Sequence, residues 1–135
     1  MEKRIVFKKG KFIVTRKGDF VLKLSERLVW LLKPFCQRIE VAGSIRRKEK
    51  NPVDIDIVLI PKDKEKIENF MKMRGKFIQG GEHESTWNIE DVKVELYYTL
   101  IDEWGATLLA YSSRFGAGIG LRMIAKRKGM KLNNY

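Results

Sequence analysis

Apolar and polar residues alternate near the N-terminus in a pattern that predicts a β-hairpin. The segments 5–7 and 12–15 are rich in β-branched and aromatic residues and flank the turn Lys-Lys-Gly-Lys, an arrangement typical of two antiparallel strands. After the hairpin, apolar residues recur at roughly helical spacing from Phe20 to Cys36, with Pro34 near the end, which predicts a helix. Trp30 lies within this apolar helix, so we expect it in the core.

The remainder of the chain alternates further strands and helices. Apolar or alternating segments predict strands at 39–42, 53–60, 76–79, 86–89 and 92–98, and amphipathic or apolar segments predict helices at 62–74, 103–110 and 116–128. We therefore expect an α+β fold, in which a mixed β-sheet has helices on one side and is followed by a short helical C-terminal subdomain. The expected boundary divides the chain into 1–101 and 102–135.

Two aspartates interrupt a strand that is otherwise built for burial. Asp54 and Asp56 are separated by one residue, and residues i and i+2 of a strand point to the same face, so the two carboxylates project side by side. Burying such charges without compensation is costly, so we expect a cation between them. Carboxylate oxygens favour Mg²⁺ or Mn²⁺. The alternative is that both aspartates lie at a strand end and face water.

A glycine–serine turn before the aspartates offers groups that bind phosphate. The strand 39–42 stops at Gly43 and Ser44, where the backbone can approach a ligand closely and a hydroxyl is available. A polar, basic loop follows, in which Arg46 and Arg47 can hold phosphate oxygens with paired hydrogen bonds. Phosphate donors beside metal-binding carboxylates are what metal-dependent phosphoryl or nucleotidyl transfer requires.

A third carboxylate stands in the predicted strand 92–98. Its alternation places Lys93, Glu95 and Tyr97 on one face. On a strand next to the aspartates, Glu95 could complete a site for two metal ions; otherwise it is a solvent-facing strand residue. For Tyr97, we expect packing in the sheet ahead of stacking on bases.

The composition narrows the class of partner. The 135 residues include 28 Lys and Arg against 17 Asp and Glu, a net charge of +11. A small basic domain usually meets a polyanion, such as nucleic acid, nucleoside phosphates or an acidic membrane surface. The positive charge is concentrated at both ends of the chain. There we expect contacts with nucleic acid from Lys8, Lys9, Lys11, Arg122, Lys126, Arg127 and Lys128.

The cysteine count and the lengths of the apolar runs exclude disulfide-bonded, cysteine–zinc and membrane-spanning proteins. Cys36 is the single cysteine, so the chain can form neither an internal disulfide nor a cysteine-based zinc site. No apolar run reaches the roughly 20 residues of a membrane span, and the N-terminus lacks the core of a signal peptide. We therefore expect a cytoplasmic protein without a membrane partner, in the host cytoplasm if the source is a virus.

The segments around the candidate site resemble a known enzyme family. Residues 41–47, Val-Ala-Gly-Ser-Ile-Arg-Arg, and 53–59, Val-Asp-Ile-Asp-Ile-Val-Leu, resemble the Gly-Ser and Asp-x-Asp signature of family X DNA polymerases, the polymerase beta group of nucleotidyltransferases. Residues 93–96 are similar to the family's third-carboxylate strand. The resemblance extends over roughly 28–135. It implies a nucleotidyltransferase palm, followed by a shortened nucleotide-selection subdomain and without the family's amino-terminal lyase and helix-hairpin-helix domains.

The resemblance also implies roles for individual residues. Asp54 and Asp56 would bind two Mg²⁺ or Mn²⁺ ions, and Glu95 would bind the catalytic ion and accept the proton of the attacking 3′-hydroxyl. Ser44 and Arg47 would hold the triphosphate of an incoming dNTP. The implied reaction is attack on the α-phosphate by a primer in gapped or primer-template DNA, with release of pyrophosphate, as in short-gap repair.

The C-terminal part of the resemblance is looser. Tyr111 and Ser112 occupy the family's sugar-sensing motif, and Arg122 would lie against the template strand or the nascent base pair. The chain departs from the family at Glu95, where aspartate is usual, and at Pro52, which has no N–H for the triphosphate. Two alternatives therefore stay open: a minimal nucleotidyltransferase acting on tRNA or protein, and a nucleic-acid-binding derivative without catalysis.

Overall fold

The computed structural model describes residues 3–112, which form an N-terminal hairpin, a five-stranded sheet and four helices. In chain order these elements are β1 (Lys3–Lys8), β2 (Lys11–Arg16), α1 (Gly18–Leu32), β3 (Cys36–Ala42), α2 (Gly43–Arg46), β4 (Ile55–Pro61), α3 (Lys64–Arg74), β5 (Lys76–Gly80), β6 (Glu84–Ile89), β7 (Val92–Tyr98) and α4 (Trp104–Ser112). The helix predicted at 116–128 lies outside the described residues.

The sheet has the strand order β3–β4–β7–β6–β5. β4 and β7 run parallel, whereas every other neighbouring pair in this sheet is antiparallel. The predicted α+β class with a mixed sheet is therefore confirmed. The parallel pair at the centre is the feature that positions the candidate site, because it aligns β4 residue by residue with β7.

Two apolar clusters cover the two faces of the sheet. On one face, α1 and α3 pack against the inward side chains of β4, which are Ile55, Ile57 and Leu59. On the other face, Trp104 and Tyr111 of α4 pack against Val58 and Ile60 of the same strand, together with Tyr97 and Ala42. The prediction of helices on one side thus describes α1 and α3, while α4 lies against the opposite face.

The structure corrects two local predictions. Trp30 is 74% exposed rather than buried, because α1 turns its other face to the sheet through a stripe that includes Leu24, Leu28 and Leu32. The segment after β3 is a helical turn, α2, rather than the start of a loop. No helix within residues 3–112 combines the length and apolarity needed to cross a membrane.

The predicted N-terminal hairpin is confirmed, and its inner face is fastened to the rest of the fold. β1 and β2 pair from Lys3 with Arg16 to Lys8 with Lys11. The Thr15 hydroxyl donates to the Val53 carbonyl at 3.0 Å. The Arg4 guanidinium donates to the Pro52 carbonyl at 2.6 Å. These contacts hold the hairpin beside the segment that leads into β4.

Candidate active site

The parallel pairing of β4 with β7 brings two of the predicted acids together. Asp56 and Glu95 are register partners on the two neighbouring strands. Because Ile55 and Ile57 point into the main core, the alternation of β4 turns Asp56 to the opposite face. Asp54 precedes β4, and its charge acts on Asp56. The three acids predicted from the sequence therefore lie in one neighbourhood.

Tyr97 links the two paired acids, a role that the sequence analysis missed. Its hydroxyl donates to Glu95 Oε2 and also lies 3.3 Å from Asp56 Oδ1. The ring is buried and stacks on Tyr111, with 3.9 Å between ring centroids. The signal for this role was the alternation that places Tyr97 on the same face of β7 as Glu95. The prediction that Tyr97 packs in the sheet is confirmed, but packing accounts only for its ring.

Two of the three acids, Asp54 and Glu95, form ion pairs with lysines. Lys8 Nζ, at the end of β1, lies 2.9 Å from Asp54 Oδ2. Lys93 Nζ, on the same face of β7 as Glu95, lies 2.7 Å from Glu95 Oε1. Lys8 was predicted to contact DNA, but in the structure its ammonium group binds a site carboxylate. Within residues 3–112, no lysine forms an ion pair with Asp56.

The pKa shifts reflect this uneven neutralisation. Burial, together with the negative charges of Glu95 and Asp54, raises the pKa of Asp56 to about 6. Burial also raises the pKa of Glu95, but hydrogen bonds from Lys93 and Tyr97 outweigh burial and lower it overall. Burial beside two carboxylates raises the pKa of the Tyr97 hydroxyl, which therefore stays a donor. Asp56 is thus the acid that most needs a further cation.

Gly43 places the backbone of α2 directly against Asp56. Gly43 has a φ of +58°, a left-handed conformation that favours glycine, and a Cβ at this position would lie 2.2 Å from Asp56 Oδ2. No side chain other than hydrogen fits there without moving the carboxylate. The predicted phosphate-binding turn, with the half-buried Ser44 next in the chain, therefore adjoins the predicted metal ligands.

The two predicted phosphate-binding arginines contact groups of the protein in this structure. Arg46 Nη1 lies 3.5 Å from Glu40 Oε2. Arg47 Nη2 lies 2.7 Å from Glu49 Oε2, and Arg47 Nη1 donates to the Ser112 carbonyl at 3.3 Å. Arg47 therefore ties α2 to α4. Both arginines are exposed, and their ion pairs among the described residues are with Glu40 and Glu49 rather than with the three site acids.

The residues predicted to sense the sugar take part in packing. Tyr111 is buried against Tyr97, and the Ser112 hydroxyl donates to the Leu108 carbonyl at 2.5 Å. They lie on α4, which covers the face of the sheet that carries Asp56. Arg122, Lys126, Arg127 and Lys128, predicted to bind DNA, lie outside the described residues.

A basic cleft opens between the hairpin and the sheet beside Asp54. It has a volume of about 350 Å³, and its lining includes Lys8, Lys9, Lys11 and Lys93. Lys9 and Lys11, predicted to contact nucleic acid, are exposed at the hairpin turn. The cleft therefore places an excess of positive charge next to the acids.

The three acids are not arranged as a metal-binding centre in this structure. Among residues 3–112, no three His, Cys, Asp or Glu side chains are arranged so that they could hold a metal ion together. Asp54 and Glu95 bind lysine ammonium groups instead. In their chemistry the three carboxylates still suit a hard divalent cation, and the raised pKa of Asp56 marks a charge that such a cation would stabilise.

No protein-family model matches the chain, and no curated protein matches it significantly. The residues of the site and the spacing of their motifs are therefore the basis of the function proposed below.

Proposed function

We propose that the protein is a metal-dependent nucleotidyltransferase that adds nucleotides to a DNA 3′-hydroxyl and releases pyrophosphate, as in short-gap filling. The observation that carries the proposal is the contact of the Gly43 backbone with the Asp56 carboxylate. This contact places a glycine–serine turn suited to phosphate next to Asp56, which is the register partner of Glu95 on the neighbouring strand. Nucleotidyl transfer requires that metal ligands and phosphate donors meet in this way.

The three carboxylates are the groups that would hold the metal ions. Asp54, Asp56 and Glu95 offer only hard oxygen donors, which suit Mg²⁺ or Mn²⁺. A pair of such ions supplies activation of the attacking hydroxyl and neutralisation of the leaving pyrophosphate. Lys8 and Lys93 neutralise two of these carboxylates without metal, and we expect them to turn to phosphate oxygens when metal and nucleotide bind.

Residues of the chain can accept the proton, orient the accepting carboxylate and bind the triphosphate. Glu95 has a lowered pKa and is ionised at neutral pH, so it can accept the proton of a 3′-hydroxyl beside it. Tyr97 fixes the orientation of that carboxylate through its hydroxyl. Ser44 and the exposed Arg46 and Arg47 can donate to the triphosphate.

The charge distribution favours a polynucleotide as the acceptor. The net charge of +11 and the lysine-lined cleft beside Asp54 suit a long polyanion better than an acidic protein patch. Affinity based on phosphate contacts falls steeply with salt. We therefore expect distributive synthesis that weakens strongly as ionic strength rises.

Primer extension tests the proposal. The substrates are gapped DNA and open primer-templates, supplied with each dNTP and NTP in turn and with Mg²⁺ or Mn²⁺. We expect template-matched addition that Asp56→Asn abolishes while DNA binding persists. Asp102→Asn removes an exposed aspartate outside the site and should leave the rate unchanged. Transfer only to tRNA or protein, or DNA binding without transfer in either metal, would contradict the proposal.

A further inference from the structure

The outer face of the N-terminal hairpin is apolar, and no other part of residues 3–112 covers it. Four side chains of this face are exposed, and they form two directly opposed cross-strand pairs: Ile5 with Val14 and Phe7 with Phe12. The two phenylalanines are 65% and 75% exposed, respectively. Contiguous exposed apolar surface of this kind usually marks a binding site.

The two phenylalanine rings form a continuous aromatic surface. Their centroids are 4.9 Å apart and their planes are inclined by 51°. The opposite face of the hairpin is fastened to the fold by the hydrogen bonds of Thr15 and Arg4. The rings are therefore presented on a supported two-stranded sheet. Aromatic residues on a sheet surface are a recurring platform on which unpaired bases stack.

The charges around the rings indicate what covers them. The segment 3–17 contains seven Lys and Arg residues and no acidic residue. At the turn, Lys9 and Gly10 adopt positive φ, and Lys9 is exposed next to the phenylalanine pair, whereas alternation turns Lys8 and Lys11 to the opposite face. A second copy of this chain, with its net charge of +11, would be repelled from such a surface. A polyanion that carries flat apolar groups fits it.

We infer that the outer face of the hairpin binds single-stranded nucleic acid, with unpaired bases stacked on Phe7 and Phe12 and phosphates held by Lys9 in the turn. The inference rests on the proposed function for the identity of the strand, which is DNA. The same hairpin borders the candidate site, because Lys8 on its inner face contacts Asp54. Alternation places Lys8 on the inner face, so the platform and the candidate site lie on opposite faces of the same hairpin.

Anisotropy titrations with fluorescent oligo(dT) and oligo(U), without metal or nucleotide, test the inference. Phe7→Leu and Phe12→Leu keep an apolar side chain but remove the ring. Each should weaken binding of the single strand at least about fivefold. Phe12→Trp should retain affinity, and Trp30→Leu, which removes an exposed tryptophan from α1, serves as the matched control without loss. Circular dichroism establishes that each variant is folded.

Salt dependence separates stacking from phosphate contacts. Lys9→Ala should reduce the slope of log affinity against log salt by about 0.7, the value for one phosphate contact to a single strand. Phe7→Leu should leave the slope unchanged. Undiminished affinity in both leucine variants would overturn the platform, and so would a change in oligomeric state of those variants measured by light scattering.

The outcomes distinguish this inference from the proposed function. Ring-dependent binding in a protein that extends no primer would support the platform and contradict the polymerase. Primer extension with ring-independent binding would do the reverse. Tighter ring-dependent binding of oligo(U) than of oligo(dT) would support the platform and contradict DNA as the substrate.

Discussion

Gly43→Ala is the substitution for which the structure gives the sharpest expectation. The residue has a φ of +58°, and a Cβ would lie 2.2 Å from Asp56 Oδ2 and 3.0 Å from its Cγ. The left-handed conformation costs a non-glycine residue about 1–2 kcal/mol. The steric overlap adds to this cost, and either the Asp56 carboxylate or the α2 turn must move to relieve it.

Gly10→Ala isolates the backbone contribution to that cost. Gly10 has a φ of +76°, with no atom within 4 Å of the position of its Cβ. Both variants should therefore lose about 1–2 kcal/mol of unfolding free energy from backbone strain, a decrease in melting temperature on the order of 5 °C. Any additional loss in Gly43→Ala measures the overlap with Asp56.

Single-nucleotide incorporation, measured per folded molecule, then shows whether the position of Asp56 matters for chemistry. A displacement of about 1 Å in a reacting constellation can lower a rate about 100-fold, so we expect a loss of that order in Gly43→Ala. At saturating DNA, Gly10→Ala should retain its rate. Equal rates for the two variants would refute the claim that the Gly43 contact positions a functional carboxylate.

Three further predictions concern the electrostatics of the site. Asp56→Asn should stabilise the metal-free protein by about 1–3 kcal/mol at pH 8. The raised pKa makes wild-type stability fall as pH rises from about 4 to about 6. In urea titrations, the stability difference between Asp56→Asn and the wild type should shrink toward pH 4. Equal unfolding midpoints of the two proteins at pH 8 would contradict this prediction. Lys8→Gln should raise the pKa of Asp56 above about 6, because the Lys8 charge lowers it. Carboxyl NMR shifts that titrate as in the wild type would count against this. Tyr97→Phe should raise the pKa of Glu95, which loses a hydrogen-bond donor, and an unchanged Glu95 titration would rule that out.

Local patterns were sufficient to predict the elements on which the site is built. The period-two alternation around Asp54 and Asp56 places Ile55 and Ile57 in one core and turns Asp56 to the other face. The same alternation in β7 places Glu95 and Tyr97 side by side. These predictions succeeded because side-chain direction along a strand depends only on position in the strand.

Features that depend on contacts between distant segments were not accessible from the sequence. The contact of Gly43 with Asp56 depends on the φ of one residue and on the pairing of β3 with β4. The bond between Tyr97 and Asp56 depends on the parallel register of β4 with β7. Trp30 was assigned to the core from local hydrophobicity, which does not reveal which face of α1 meets the sheet.

The pairing of site acids with lysines was also beyond the sequence. Lys8 belongs to a basic run that suggested DNA contacts, and only the fold brings its ammonium group to Asp54. Lys93 and Glu95 share a face of β7 by alternation, but the sequence does not show which of several possible charged partners each of them contacts. The structure pairs them with each other. Charge runs therefore predicted the sign of the surface better than its contacts.

Uptake of Mn²⁺ tests the central claim, that the carboxylates around Asp56 hold divalent metal together with nucleotide. Free Mn²⁺ is followed by electron paramagnetic resonance with a non-hydrolysable dNTP analogue, relative to the analogue alone. The account predicts about two bound ions per chain in the wild type and in Asp102→Asn, and reduced uptake in Asp56→Asn and Glu95→Gln. No uptake beyond that of the analogue, or equal uptake in all four proteins, would contradict it.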